Sequence, residues 1–390
     1  MAEQTQTRYA LTWTNHVAEV PRDRWNALAE PLKTPFLEWE WLWNAEQSGS
    51  ATARKGWLPN HLLVWRDGAL VAAAPLYIKG HSYGEFVFDH QWADLAHRLG
   101  VHYYPKLLGM SPFTPATGYR FLIDPDEDET ALTHLMLREI DRFCERNSLS
   151  GCNFLFVDPD WRPIVEDYGY LAWQHHSYQW QNRDYQTFDD YLGEFNANQR
   201  RNIKRERKAV TQAELNVKVY AGEEIPHRLF PLMYNFYSST CDKFMWGSKY
   251  LTKRFFELLH DNYRHRVVFI AAESAGREDH PIGMSFCIRK GDQLYGRYWG
   301  ADQDIDCLHF EACYYSPIEY AIQQGIRDFD PGAGGQHKKR RGFPAVGNTS
   351  LHRIYHPRLV QILKPYIKDV NQMEAQEMEA INAELPFKQK

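Results

Sequence analysis

The chain has 390 residues, 44% hydrophobic and 24% charged, which is ordinary globular usage in a length that accommodates two domains. Its formal net charge of -5 at pH 7 gives the whole molecule no pull toward DNA, so any nucleic-acid contact has to be local. The amino terminus lacks a basic stretch followed by an apolar one, and no apolar run is long enough to span a bilayer. The six cysteines are scattered without a C-x-x-C pair. These features argue against a secretory leader, a membrane span, a disulfide framework and a structural zinc site, and they predict a cytoplasmic protein.

Hydrophobic periods of 2 and 3.6 alternate along the chain, which predicts a mixed α/β (α+β) fold. In the first half the spacing predicts a strand over 9–14 and helices over 24–29 and 36–47. A hairpin of strands over 61–65 and 69–78 turns at Arg66-Asp67-Gly68, because Asp-Gly between apolar runs is a strong hairpin signal. A third strand is predicted over 84–88, a helix over 92–98, a strand over 106–109 and a long helix over 127–146. Strands over 153–157 and 172–184 complete this half. The aromatic run Phe36, Trp39, Trp41 and Trp43 spans more than one helix face and reads as packing.

A basic helical connector over 187–213 follows. The second half predicts a strand over 216–220, helices over 227–239 and 250–263, and a meander over 266–273, 282–288 and 293–299. A helix over 310–324 is stopped by Gly325 and carries Pro317 inside it. A strand over 326–330 comes next, and the chain after Pro357 is helical with a polar end. The order strand, two helices, meander, helix, strand thus occurs twice, roughly 200 residues apart, as a repeat of pattern.

This order resembles the GNAT acyltransferase fold. Asn198-Gln-Arg-Arg-Asn-Ile-Lys-Arg-Glu-Arg-Lys-Ala209 resembles the Arg-rich helix of Fem-type aminoacyltransferases. Leu294-Tyr-Gly-Arg-Tyr-Trp-Gly300, His309-Phe-Glu311, Tyr320-Ala-Ile-Gln-Gln-Gly325, Phe329-Asp-Pro-Gly-Ala-Gly-Gly-Gln-His-Lys338 and Pro112-Phe-Thr-Pro-Ala-Thr-Gly118 are similar to a FemAB-like branch. The resemblance implies tandem GNAT-like (acyl-CoA N-acyltransferase) domains, each a mixed, mostly antiparallel sheet flanked by helices. The expected boundaries are 8–186 and 214–368, joined by the 187–213 connector and followed by a tail over 369–390.

The implied activity is N-acyl transfer from acyl-CoA or aminoacyl-tRNA, as co-substrate rather than tightly bound cofactor, onto an amine of a small or cell-wall precursor acceptor. The alternative is a non-catalytic module that binds tRNA or a peptidoglycan precursor. No metal is expected. GNAT enzymes bind the coenzyme A pyrophosphate on a glycine-rich loop, but the corresponding stretch here, Gly300-Ala-Asp-Gln-Asp-Ile-Asp-Cys-Leu308, carries three aspartates that repel a pyrophosphate.

Pro331-Gly-Ala-Gly-Gly-Gln-His-Lys-Lys-Arg-Arg-Gly342 is the most informative segment. Gly332, Gly334 and Gly335 allow successive N–H groups to form an anion nest, and Lys339, Arg340 and Arg341 add cationic donors for donor phosphates. Arg200, Arg201, Lys204, Arg205 and Lys208 put five like charges on one helix face, which suits an RNA backbone; a solvated helix face is the plainer reading. Transfer to an amine needs a base. His309, Glu311 and His337 are the candidates, with Asp330 at a strand end and Lys338 beside them. His309 and Glu311 share a pocket only if they sit on an extended lead-in, since on a helix they diverge. Asp330 either orients His337 or caps the Pro331-Gly332 turn. Asp302-x-Asp304-x-Asp306 lacks the glycine and glutamate of a calcium loop.

Overall fold

The computed structural model describes residues 9–243, 249–274, 276 and 280–388. The chain forms two compact units: the described residues up to His175 together with Asn348–Gln372, and His176–Gly347 together with the described residues from Met373 onward. This division differs from the expected boundaries. The 187–213 connector is integral to the second unit, and residues 348–368 return to the first because a strand there completes the first unit's sheet.

The first unit contains β1 (Tyr9–Thr14), α1 (Arg22–Ala29), α2 (Trp39–Gln47), β2 (Trp57–Pro59), β3 (His61–Arg66), β4 (Ala69–Ala74) and β5 (Tyr77–Lys79). They are followed by α3 (His90–Arg98), β6 (Lys106–Gly109), β7 (Leu122–Ile123), α4 (Glu129–Arg146), β8 (Gly151–Phe154), α5 (Arg162–Asp167) and β9 (Leu171–Tyr178), whose residues from His176 on belong to the second unit. The β3–β4 hairpin turns through Asp67 and Gly68, both at positive φ (51° and 78°), as a tight turn matched to strand twist requires. Asp128 caps α4 by accepting from the Ala131 N–H at 2.9 Å, and Leu132, Met136, Leu137 and Ile140 bury one stripe of that helix.

The second unit contains β10 (Trp180–Gln181), α6 (Phe188–Glu194), α7 (Ala197–Gln212), β11 (Leu215–Ala221), α8 (Leu229–Asp242), α9 (Lys253–Leu258), β12 (Val267–Ser274), β13 (Gly283–Lys290) and β14 (Gln293–Ala301). Then come α10 (Leu308–Phe310), α11 (Ser316–Gln323) and β15 (Asp328–Asp330). The last two elements are shared by the units: β16 (Ala345–Ile354) belongs to the first from Asn348 on, and α12 (Pro357–Ala383) belongs to the first up to Gln372 and to the second from Met373 on. One sheet has the order β1-β3-β4-β7, a second β2-β5-β6-β8-β16-β9, and the sheet of the second unit β10-β15-β14-β13-β12-β11. Neighbours in the last sheet are antiparallel except β14 and β15, which run parallel.

Two expectations fail for physical reasons. Residues 84–88 form no strand, because Glu85 and Asp89 are drawn inward by the buried Lys106 ammonium, at 2.8 and 2.6 Å. Burial pushes the Glu85 carboxyl up to about 7, against the pull of Lys106. Lys79 lies 3.8 Å from the centre of the Trp57 ring and donates to the Tyr83 carbonyl at 3.1 Å. The predicted 310–324 helix is three pieces: α10, a wide π turn over 311–315, and α11, which ends at Gly325 with φ +64°.

In both units three residues pair parallel where the chain returns to the sheet. In the first unit these are Leu107–Gly109 against Cys152–Phe154, and the space beyond them is filled by the fully buried Tyr119, whose hydroxyl donates to the Pro75 carbonyl at 2.9 Å. A β-carbon at Gly109 would lie 2.2 Å from that hydroxyl, so only glycine permits the ring there. The Lys106 cluster supplies the first testable expectation. Lys106→Met leaves buried Asp89 without a cation and Glu85 with only Lys79, 4.0 Å away, and should cost about 3–5 kcal/mol, read as a lower urea midpoint. An unchanged midpoint would show that the cluster carries no stability.

Candidate functional site

β14 and β15 pair only over Gln293–Tyr295 and Asp328–Asp330. Just beyond, β14 carries a bulge: Cys287 faces Gly296 and Phe286 faces Tyr298, making Arg297 the extra residue. Pro331 then leads the chain away, and between the diverging strands lies a cavity of about 230 Å³ whose walls include Arg297, Trp299, His309, Tyr314, His337 and Lys338. The Gly332–Gly335 segment forms its rim.

Asp330 sets this geometry. One of its oxygens accepts from the Gly332 N–H at 2.7 Å and the other from Arg297 Nη2 at 2.8 Å. The carboxylate therefore caps the turn and ties the bulge of β14 to the end of β15; it acts as a brace and makes no bond to His337 among the described contacts. Gly332, Gly334 and Gly335 all have positive φ, at 90°, 69° and 89°, which favours glycine. A β-carbon on Gly335 would sit 2.6 Å from the His337 ring.

A short 3₁₀ helix over Gln336–Arg341 follows and sends consecutive side chains in different directions. Lys338 points inward, 1% exposed, and its ammonium donates to the carbonyls of Gly332 at 2.6 Å and Ala333 at 3.3 Å. Burial lowers its pKa to about 8, partly offset by Asp330. The His337 Nε2 and the Tyr314 hydroxyl lie 2.8 Å apart. Burial, with Arg341 and Lys338, lowers the His337 pKa from 6.5. His309, whose ring centre is 5.7 Å from that of His337, is pushed down to about 4, mainly by burial and then by His337, Arg341 and Lys338. Both imidazoles are therefore neutral at neutral pH.

The structure gathers His309, His337, Lys338 and the three glycines at one cavity and separates other expected residues from it. Glu311 does not line this cavity. Residues 308–315 are helical throughout, so Glu311 diverges from His309 rather than sharing an extended lead-in. It is 5% exposed, accepts from Arg207 at 2.9–3.2 Å and from the Ser316 hydroxyl at 2.9 Å. The expected cluster of phosphate-binding cations is also mostly committed elsewhere. Lys339 pairs with Glu384. Arg341 donates to Glu206 at 2.8 Å and to the His337 carbonyl at 2.9 Å, and lies 3.3 Å from the centre of the Phe310 ring. Arg340 alone of the run Lys338–Arg341 is exposed.

On α7, Arg201, Lys204, Arg205 and Lys208 are exposed and Arg200 is half-buried. Arg201 bonds Asn198, and Arg207, off that stripe, also reaches Glu319 at 2.7 Å. Sequence reasoning missed Arg297, Tyr314 and Trp299 as site residues. The available signal was Gly296, since a glycine inside a strand often marks a bulge.

The FemAB-like family, described as peptidoglycan biosynthesis/recognition, matches residues 16–389. No curated protein matches the sequence. Among solved structures, FemX superposes with a TM-score of 0.55 at 11% identity, covering 90% of this chain and 100% of that one. L-PGS from Bacillus licheniformis gives 0.53 at 7% identity over 90% and 96%. The C-terminal domain of a putative lysylphosphatidylglycerol synthetase from Agrobacterium fabrum gives 0.54 at 8% over the same shares. At these identities the likenesses establish the fold alone, a mixed α/β architecture shared over 90% of this chain.

The neutral state of His309 has a consequence for stability. Its folded pKa, about 4, lies below the ordinary 6.5, so the unfolded chain takes up this proton first. The stability gained by keeping the ring neutral is complete above about pH 6.5 and is lost as pH falls toward 4. His352 in the first unit, lowered to about 3 by burial, adds a slope of the same sign. Replacing His309 with Phe should therefore flatten, but not abolish, the fall in melting temperature between pH 7 and pH 5. An unaltered slope would show that His309 is charged or solvated in the folded state.

Proposed function

This chain belongs to the FemAB-like family, and from that premise we propose that it transfers an aminoacyl or acyl group from an activated ester onto an amine of a cell-wall precursor. The observation that carries this reading is the cavity between β14 and β15, where an ammonium and two neutral imidazoles converge. The attacking amine nitrogen forms a C–N bond to the acyl carbon, and its surplus proton passes to His337, whose neutral ring is held by Tyr314. An ammonium has three N–H donors; two are used on the Gly332 and Ala333 carbonyls, and the third serves the oxyanion that develops on the acyl oxygen. The C–O bond to the donor then breaks, and the leaving hydroxyl recovers the proton.

For the donor, two features support aminoacyl-tRNA over acyl-CoA. Asp302, Asp304 and Asp306 are exposed on the connection after β14, where they repel a pyrophosphate. The exposed cations of α7 provide phosphate contacts whose strength falls with salt. The acceptor reading rests on the family's description, peptidoglycan biosynthesis/recognition.

Transfer of label from a charged tRNA pool to muropeptide precursors tests the proposal. Lys338→Ala and His337→Ala should each lower turnover by about 100-fold or more, and Tyr314→Phe, a milder change, should lower it by less. Undiminished turnover in all three variants would remove the loop from the chemistry. Salt-sensitive retention of charged tRNA without transfer would point instead to recognition alone. The donor class is tested separately by melting shifts: charged tRNA should stabilise the protein and acetyl-CoA should not. A saturable shift with acetyl-CoA would reverse the assignment.

A further inference from the structure

In the second unit, His176 on β9 and Glu374 and Glu377 on α12 place three ligand-type atoms within 4.8 Å of one another. The His176 Nδ1 lies 2.5 Å from a Glu374 oxygen, so the imidazole is already aimed at the carboxylates. Glu374 and Glu377, three residues apart, share one face of α12, where like charges destabilise a helix unless a cation joins them. Other acids of this unit have such a cation: Glu206 has Arg341, Glu384 has Lys339, and Glu311 and Glu319 share Arg207. Among the described residues no lysine or arginine pairs with Glu374 or Glu377. Two carboxylates thus share one imidazole, with no lysine or arginine paired to either among the described residues.

We propose that His176, Glu374 and Glu377 bind a divalent transition-metal ion. An imidazole together with two carboxylates favours zinc or a neighbouring first-row ion over magnesium or calcium, which take oxygen ligands. Bonds of about 2.0–2.2 Å to each ligand require the three atoms to draw together, and Glu377, which is exposed, is free to turn inward. The ion fastens the C-terminal part of α12 to β9 two residues from Tyr178. The Tyr178 ring centre is 5.7 Å from that of His176 and 5.9 Å from the Lys338 ammonium. The site thus stabilises the strand that lies against the Lys338 loop and takes no part in the transfer step. It stands independently of the proposed reaction.

The test uses the full-length chain, stripped with a chelator, dialysed and titrated with zinc chloride by calorimetry and by thermal unfolding. One saturable zinc per chain and a raised melting temperature are expected. His176→Ala and Glu377→Gln should each weaken binding by at least about tenfold, whereas Glu379→Gln, exposed on the same helix, should leave it unchanged. Glu377→Gln changes only an exposed side chain, so its result does not depend on whether His176→Ala folds. Zinc taken up by the six cysteines would survive both substitutions. Equal affinity in wild type and variants, or no saturable binding in the wild type, overturns the proposal.

Discussion

The second unit depends on a strand pairing that stops early. β14 and β15 run together for three residues, and everything chemically distinctive follows from how the opening beyond them is held. A gap in a sheet exposes backbone groups that need partners, and a gap that closed would leave no cavity. Asp330 resolves this with one carboxylate, which takes an N–H from the departing loop and a guanidinium from the bulge opposite. Lys338 completes the arrangement from the other side by satisfying two loop carbonyls. Burial of the side chains at this cavity also sets the protonation of His309, His337 and Lys338. Architecture and reactivity therefore share one cause.

Much of the fold is legible in the sequence because apolar periodicity records burial. The hairpin at Asp67-Gly68, the α4 stripe and the β12–β14 meander follow from it directly. β16 does not, because four of its buried positions are Asn348, Thr349, Ser350 and His352, polar residues that interrupt the apolar pattern by which a buried strand is read. The stretch over 84–88 misleads for the opposite reason: its charges are buried against lysines that lie before and after it in the chain.

The site shows the same limit. The glycine-rich basic segment is conspicuous as residues, and its glycines do take the left-handed conformations that their spacing suggests. What each cation does was not legible, because Arg341 is claimed by a glutamate far upstream and Lys339 by one downstream. Nor does a two-residue spacing say whether His309 and Glu311 stand together; that was decided by the helical turn through which they run. Charge runs in a sequence count cations, and only the folded chain shows which of them remain available.

Tyr119 in the first unit gives the duplication its direction. At the place where the second unit keeps a cavity, the first has an aromatic plug anchored to a carbonyl and admitted by Gly109. Filling a cavity adds packing contacts and removes a binding site in one step, so the first unit closes at Tyr119 an opening of the kind the second unit keeps.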